Sequence, residues 1–216
     1  MIVETFPVGM LGCNCTILGD PASGEAILID GGDDVPEIAQ RLASHGLRPR
    51  YLVHTHAHFD HIGAVGPLRD RVGGEALLHH ADLPLYGSMA RQAALFGIVP
   101  APEVVALDGD LTDGDVLRAG AIALRCIHTP GHTPGSTSFA LDAGGAAGPT
   151  RLFTGDTLFR GAVGRWDLGG TSLEDIVHSI RTRLLVHDDA SVVVPGHGEA
   201  TTIGAERDTN PFLTAL

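Results

Sequence analysis

Residues 54–61 read HTHAHFDH. Four of the chain's 12 histidines, His54, His56, His58 and His61, fall in this stretch, with Asp60 among them. Imidazole and carboxylate donors suit zinc, iron or manganese better than soft Cu(I). His56 and His58, at i and i+2 past a strand end, point to one face and can reach one ion. Asp60 and His61 are adjacent and must diverge, which suggests a second ion. More ligands are then needed, and the chain offers His132 in TPGHTPGS, Asp156 in LFTGDTLF and His197 in VVVPGHG. Each follows a strand in a Gly/Pro-rich turn, the kind of loop where functional residues gather. The sum closes: His56, His58 and His132 make one set, Asp60, His61 and His197 another, and Asp156 has two oxygens with which to bridge. Each ion keeps an open position, the mark of a catalytic rather than a structural site.

The elements that must carry these residues can be read from punctuation and periodicity. Short β-rich runs come first, in MIVETFPVG, CNCTILGD and AILIDGG. A helix follows, with Asp33 or Asp34 as its cap, Pro36 in its first turn, Ile38, Leu42 and Leu47 on its buried side, and Gly46 near its stop. RYLVH is a buried strand running into the histidines, IGAVGPLRDRVG reads as helical, and EALLHH as a strand. Residues 81–100 read as a loop with one or two short helices, whose Met89, Leu95 and Phe96 either line a substrate mouth or pack on the core. A turn-rich stretch, LDGDLTDGDVL, leads to the strand AIALRCIH. The strands TSFAL and RLFTG follow, either side of a Gly/Ala turn at 143–148. Thr171 with Glu174 three residues on predicts a capping box for a helix with Leu173, Ile176, Val177, Ile180 and Leu184 at helical spacing. The strand SVVVPG and a short helix near GAERDTN come last. LVHTHAH and CIHTPGH echo one another, each ending an apolar strand in His-Thr with a histidine three residues further on. The order of strands then helix, twice over, fits a two-layer sandwich of mixed sheets with helices outside, in a single domain spanning 1–216.

His54 lies on the strand side of the cluster and is expected to support it rather than ligate. His128 holds the matching place in the echo and is read the same way. His45, His79, His80, His178 and His187 have no ligand-like context.

Composition narrows the function classes. All 14 basic residues of the 216 are Arg, against 26 acidic ones, for a formal charge of −12. A Lys-free acidic chain lacks the electrostatic footprint of a nucleic-acid or anionic-membrane binder, and it excludes lysine Schiff-base chemistry. Three cysteines, Cys13, Cys15 and Cys126, predict reduced thiols and a cytoplasmic setting. The CNC run resembles a metal pair, but its apolar strand context predicts buried core. The N-terminus shows no basic region followed by an apolar run, so no signal peptide is expected.

H-x-H-x-D-H followed by G-H-T-P-G-S, F-x-G-D-T-L-F and P-G-H-G resembles the metallo-β-lactamase superfamily, over nearly the whole chain and in order. The resemblance implies the αββα fold and a dinuclear site with the ligand sets given above. It also implies that Asp30, in LIDGG, orients a ligand histidine, the alternative being a plain turn carboxylate. Class B β-lactamases carry Cys or Ser where Asp156 stands, so the Asp points to other hydrolases of the superfamily. Within them, GDTLFRGAVGRWDLGGT and GHGEATTIGAERDTNPFL are similar to short bacterial type II glyoxalases. That likeness implies hydrolysis of a small-molecule thioester such as S-lactoylglutathione. It implies two divalent ions, zinc first with iron or manganese also compatible, catalytic roles for Asp60 and Asp156, and Arg165 as a substrate contact. The alternative on the same fold is a mononuclear iron persulfide dioxygenase, but those proteins carry A-H-D-Y where this chain has P-G-H-G.

Overall fold

The computed structural model describes residues 1–142, 148–167 and 171–214. Cα proximity groups the chain into two compact units, Met1–Leu111 with Arg118–Ile122, and Thr112–Leu117 with Ala123–Leu216.

The first sheet has the order β1(Ile2–Val8), β2(Cys13–Asp20), β3(Glu25–Ile29), β4(Arg48–Val53), β5(Glu75–Leu78), β6(Gly109–Asp110). β1, β2 and β3 run antiparallel; β3 to β6 run parallel. The change of sense occurs after β3, where α1(Val35–Ser44) makes the crossover to β4. α1 begins at Asp34, with Pro36 in its first turn, and buries Ile38 and Leu42. Each such side chain contributes about 1.5–3 kcal/mol when taken out of water. Asp34 does cap the helix by position, but its side chain accepts the Gly9 N–H at 2.8 Å instead of a helical one. α2(Phe59–Ile62) and α3(Val65–Val72) follow β4; α4(Leu83–Tyr86) and α5(Met89–Leu95) follow β5. Met89, expected as a candidate for a substrate mouth, is fully buried in the core with Ile38, Leu52 and Leu68, while Leu95 and Phe96 are exposed. Its position on a helix that packs inward decides between the two readings.

The second sheet has the order β14(Thr201–Thr202), β13(Val192–Pro195), β10(Arg151–Gly155), β9(Thr137–Leu141), β8(Ile122–His128), β7(Val116–Ala119). It too is mixed: β8, β9 and β10 are antiparallel, and β10 and β13 are parallel. A separate hairpin joins β11(Leu158–Phe159) to β12(Ala162–Val163). α6(Leu173–Ser179) runs on into a π turn at Ile180–Leu184, and α7(Ile203–Thr209) and α8(Pro211–Thr214) follow. The capping box sits one residue later than the sequence suggested. Ser172 accepts from the Asp175 N–H, and the Asp175 carboxylate returns to the Ser172 N–H. Ser-x-x-Asp and Thr-x-x-Glu overlap here, and Ser172 holds the extended backbone a cap needs. Ile176, Val177, Ile180 and Leu184 are buried, against Leu152, Val193 and Ile203. The Gly/Ala turn expected at 143–148 lies outside the described residues except for Gly148. Among the described residues no helix is long and apolar enough to cross a membrane.

Candidate metal centre

In the first unit, β4 delivers the chain to His54, whose N–H bonds to the Leu77 carbonyl at 3.2 Å and so prolongs the sheet by one residue. After it the chain leaves the sheet in a turn held from outside. The Asp82 carboxylate accepts the Ala57 N–H at 3.0 Å. Gln92, on α5, accepts the Phe59 N–H at 3.0 Å and donates to the Ala57 carbonyl at 3.1 Å. Buried backbone groups need such partners wherever the ladder ends. Neither Asp82 nor Gln92 was flagged by the sequence; each lies far along the chain in a segment with no motif.

The turn places His56 Nε2 2.9 Å from His58 Nδ1. His61, starting one helical turn after His58 caps α2, stacks obliquely on His56 with ring centroids 4.0 Å apart. Its Nε2 lies 3.7 Å from Asp60 Oδ2. So Asp60 and His61, although adjacent and expected to diverge, come together at their tips.

Asp30 fixes which nitrogens are bare. Its carboxylate accepts the Thr55 N–H and O–H, each at 2.7 Å, and lies 2.9 Å from His61 Nδ1. A carboxylate only accepts, so His61 carries its proton on Nδ1 and turns the Nε2 lone pair towards Asp60. The Thr55 hydroxyl proton is committed to Asp30, so its oxygen accepts from His56 Nδ1 at 3.1 Å. His56 is thereby left with a bare Nε2, facing His58. Asp30 is buried and sits at φ 55°, the left-handed region that Asp tolerates better than most residues. The choice between an orienting and a plain turn carboxylate falls to the first.

His54 is buried, and its Nδ1 bonds to the His61 carbonyl at 3.0 Å. It braces the histidine turn through the backbone. Burial pushes its pKa down to about 4. Cys13 lies with its Sγ 3.4 Å from His61 Nδ1, but burial pushes its thiol up to about 12, so it stays protonated and neutral. Cys15 is equally buried in β2. The CNC run is core.

In the second unit three strand ends contribute one residue each. His132 lies in the turn after β8, Asp156 in the turn after β10, and His197 in the turn after β13. His132 Nδ1 donates to the Arg165 carbonyl at 2.7 Å, which leaves its Nε2 bare, 3.7 Å from Asp156 Oδ2. His197 Nε2 stands 3.7 Å from the other oxygen, Oδ1. One carboxylate therefore presents each of its oxygens to a different histidine. Gly164 presses on the back of Asp156: a Cβ there would come within 1.7 Å of the Asp156 carbonyl. Gly32 stands in the same relation to Asp60, at 1.8 Å. The Arg165 side chain is exposed and paired twice with Asp167 at 2.9 Å, which holds the Asp167 carboxyl below its usual range.

The donor chemistry fits divalent metal. His56 Nε2 and His58 Nδ1 lie 2.9 Å apart, close enough to share one proton or to bind one cation together. Zinc bonds of about 2.0–2.1 Å set neighbouring ligand atoms of a tetrahedron about 3.4 Å apart, and the observed spacings of 2.9 and 3.7 Å bracket that value.

Comparison with known proteins agrees. A family model described as the metallo-beta-lactamase superfamily matches residues 8–197. An uncharacterized protein of Mycobacterium tuberculosis is 40% identical over 225 residues, covering all of this chain and 99% of its own. Hydroxyacylglutathione hydrolase GloC of Haemophilus influenzae is 35% identical over 219 residues, covering all of this chain and 99% of its own. Among solved structures, BLEG-1 B3 metallo-beta-lactamase superposes with a TM-score of 0.85 at 35% identity, covering 99% of this chain and all of that one. TTHA1623 in a di-iron-bound form gives 0.84 at 36%, covering 97% of this chain and all of that one. With its mixed sheets, its helices and its His/Asp metal-binding residues, the chain belongs to the metallo-β-lactamase superfamily.

Proposed function

We propose that the protein is a dinuclear metal-dependent hydrolase of small-molecule thioesters, acting as one functional domain. The observation that carries this reading is Asp156, whose two oxygens face His132 and His197 separately, the arrangement a carboxylate shared by two ions requires. On this reading His56, His58 and His132 hold one ion, Asp60, His61 and His197 hold the other, and Asp156 belongs to both. The chemistry supplied by two such ions is Lewis acidity, which activates water near neutral pH and stabilises negative charge on a carbonyl oxygen. Zinc suits the donors, and so does iron, the metal of TTHA1623.

The chain's own residues do the rest. Asp30 and the Arg165 carbonyl lock the tautomers of His56, His61 and His132, so the donors need no reorganisation during reaction. Asp60 and Asp156 are the carboxylates able to orient the attacking water and accept its proton. Water adds to the acyl carbon, the C–S bond breaks, and the thiol leaves with a proton. Arg165, released from Asp167, contacts an anionic part of the thiol. The likeness to GloC supports an acylated glutathione as substrate.

The likeness to BLEG-1 supports a second reading, hydrolysis of a β-lactam amide. The test is the metal-replete enzyme on S-lactoylglutathione, other thioesters and nitrocefin, with metal analysis in parallel. Thioester turnover with two bound ions is expected. Nitrocefin turnover alone would transfer the assignment to β-lactams. Oxygen uptake with glutathione persulfide and a single iron would overturn both.

A further inference from the structure

A cavity of about 520 Å³ lies within the first unit, with Asp60 in its wall. Its size falls in the range of about 300–1,000 Å³ typical of small-molecule pockets. The walls are largely apolar: Met10, Val35, Phe59, Ile98, Pro100 and Pro102. Met10 is 68% exposed, and Phe96, which stacks on Phe59 at 4.9 Å between ring centroids, is 48% exposed. Exposed apolar side chains continuous with a cavity are unfavourable in water, and here they sit beside a proposed catalytic carboxylate.

The charges at this cavity are of one sign. Asp33, Asp34 and Asp60 contribute to the wall, and no Arg or His does. Asp34 is tied down by the Gly9 N–H at 2.8 Å, and Asp33 by the Asp34 N–H at 2.7 Å. The backbone is closely packed at Gly63, where a Cβ would meet the Phe59 carbonyl at 2.3 Å. An anionic acyl group lying along the outer wall would meet the negative charge of Asp33 and Asp34, with no Arg or His in the lining to offset it. A neutral hydrocarbon would meet apolar wall.

We infer that this cavity receives the acyl group of the substrate and selects extended, uncharged hydrocarbon acyl chains over short or anionic ones. The inference rests on the proposed thioester hydrolysis and adds its acyl specificity. Each methylene taken out of water is worth about fourfold in affinity, so partial burial of an octanoyl chain suffices for a gain of about tenfold over acetyl.

The test uses the metal-loaded enzyme and acetyl, butanoyl, hexanoyl and octanoyl thioesters of N-acetylcysteamine. We expect kcat/KM to climb with chain length, by about tenfold or more in all. Ala64→Phe and Ala101→Phe, each adding a ring to the cavity wall, should lower the octanoyl-to-acetyl ratio by about tenfold. A flat chain-length profile in the unaltered enzyme overturns the inference while leaving thioester hydrolysis standing. A readout independent of turnover is octanamide binding, followed by NMR of the Met10 and Ile98 methyl groups. Saturable shifts there, abolished by Ala64→Phe, are expected. Their absence overturns the inference whatever the activity. Octanamide binding without hydrolysis of any thioester would instead sink the proposed reaction and retain the cavity as an apolar site.

Discussion

The two units hold their candidate ligands by different means. In the first, four ligands come from one short stretch, His56 and His61 are fully buried, and a single side chain, Asp30, orients both. In the second, three ligands come from three separate strand ends, and the orienting group of His132 is a main-chain carbonyl. Asp156 and His197 are also wetter, with 16% and 27% of their side chains exposed. A compact cluster concentrates its dependence on one buried carboxylate. A dispersed set depends on the sheet that spaces its loops.

That contrast can be broken at its largest point. Asp156→Ala removes the carboxylate given to both ions, and turnover should fall by about a thousandfold or more. Metal content, read by inductively coupled plasma mass spectrometry, should drop below two ions per chain. A variant retaining both would refute the sharing of Asp156.

Asp30→Asn comes next. It keeps the shape of the side chain but weakens the hold on both His56 and His61, and metal affinity should fall by about 10–100-fold. Competition with a chromogenic chelator measures this. If only one ion weakens, the Thr55 relay to His56 is not functional.

His54 gives an effect on stability alone. Its folded pKa, about 4, lies below the unfolded value near 6.5, so the unfolded chain takes up a proton first. Its contribution is therefore intact above about pH 6.5 and is lost as pH falls towards 4, amounting to about 2 kcal/mol at pH 5. Urea unfolding of metal-free protein should show that slope, and His54→Gln should lessen it with metal content unchanged. A loss of metal in that variant would make His54 a ligand after all.

The smallest effect sharpens the comparison from the second side. Arg165→Ala leaves the carbonyl that holds His132, so metal content should not change, whereas KM for an anionic thioester should rise only severalfold, because an exposed ion pair is screened by solvent. A fall in metal content would show that the backbone at 165 depends on the guanidinium–Asp167 pair.

What could be read from the sequence divides along the same line. The strands carrying HTHAHFDH, GHTPGS, GDTLF and PGHG were legible because apolar runs and Gly/Pro turns are local signals. The buried side of α1 was legible for the same reason. The supports were not. Asp82 and Gln92 reach the histidine turn from more than twenty residues away, and no periodicity announces such a contact. Met89 could not be placed because an apolar residue on a short helix serves a core and a mouth equally well. The Ser172 cap was misplaced by one residue because two overlapping motifs compete and backbone geometry alone chooses. Arg165 stood out through the likeness to type II glyoxalases, while its carbonyl, which every residue shares, went unremarked.

That carbonyl has a consequence for how this enzyme can change. On the proposed reading, position 165 does two jobs through two parts of one residue, and only one of them depends on which amino acid stands there. The metal-orienting part survives any substitution that keeps the loop's path. A lineage can therefore rewrite the side chain at 165 to suit a new substrate without first disturbing the carbonyl that orients His132. At Asp30 no such freedom exists, because there the side chain itself is the support. Drift in substrate choice should gather on the loop after Asp156, and the histidine turn should remain as it is.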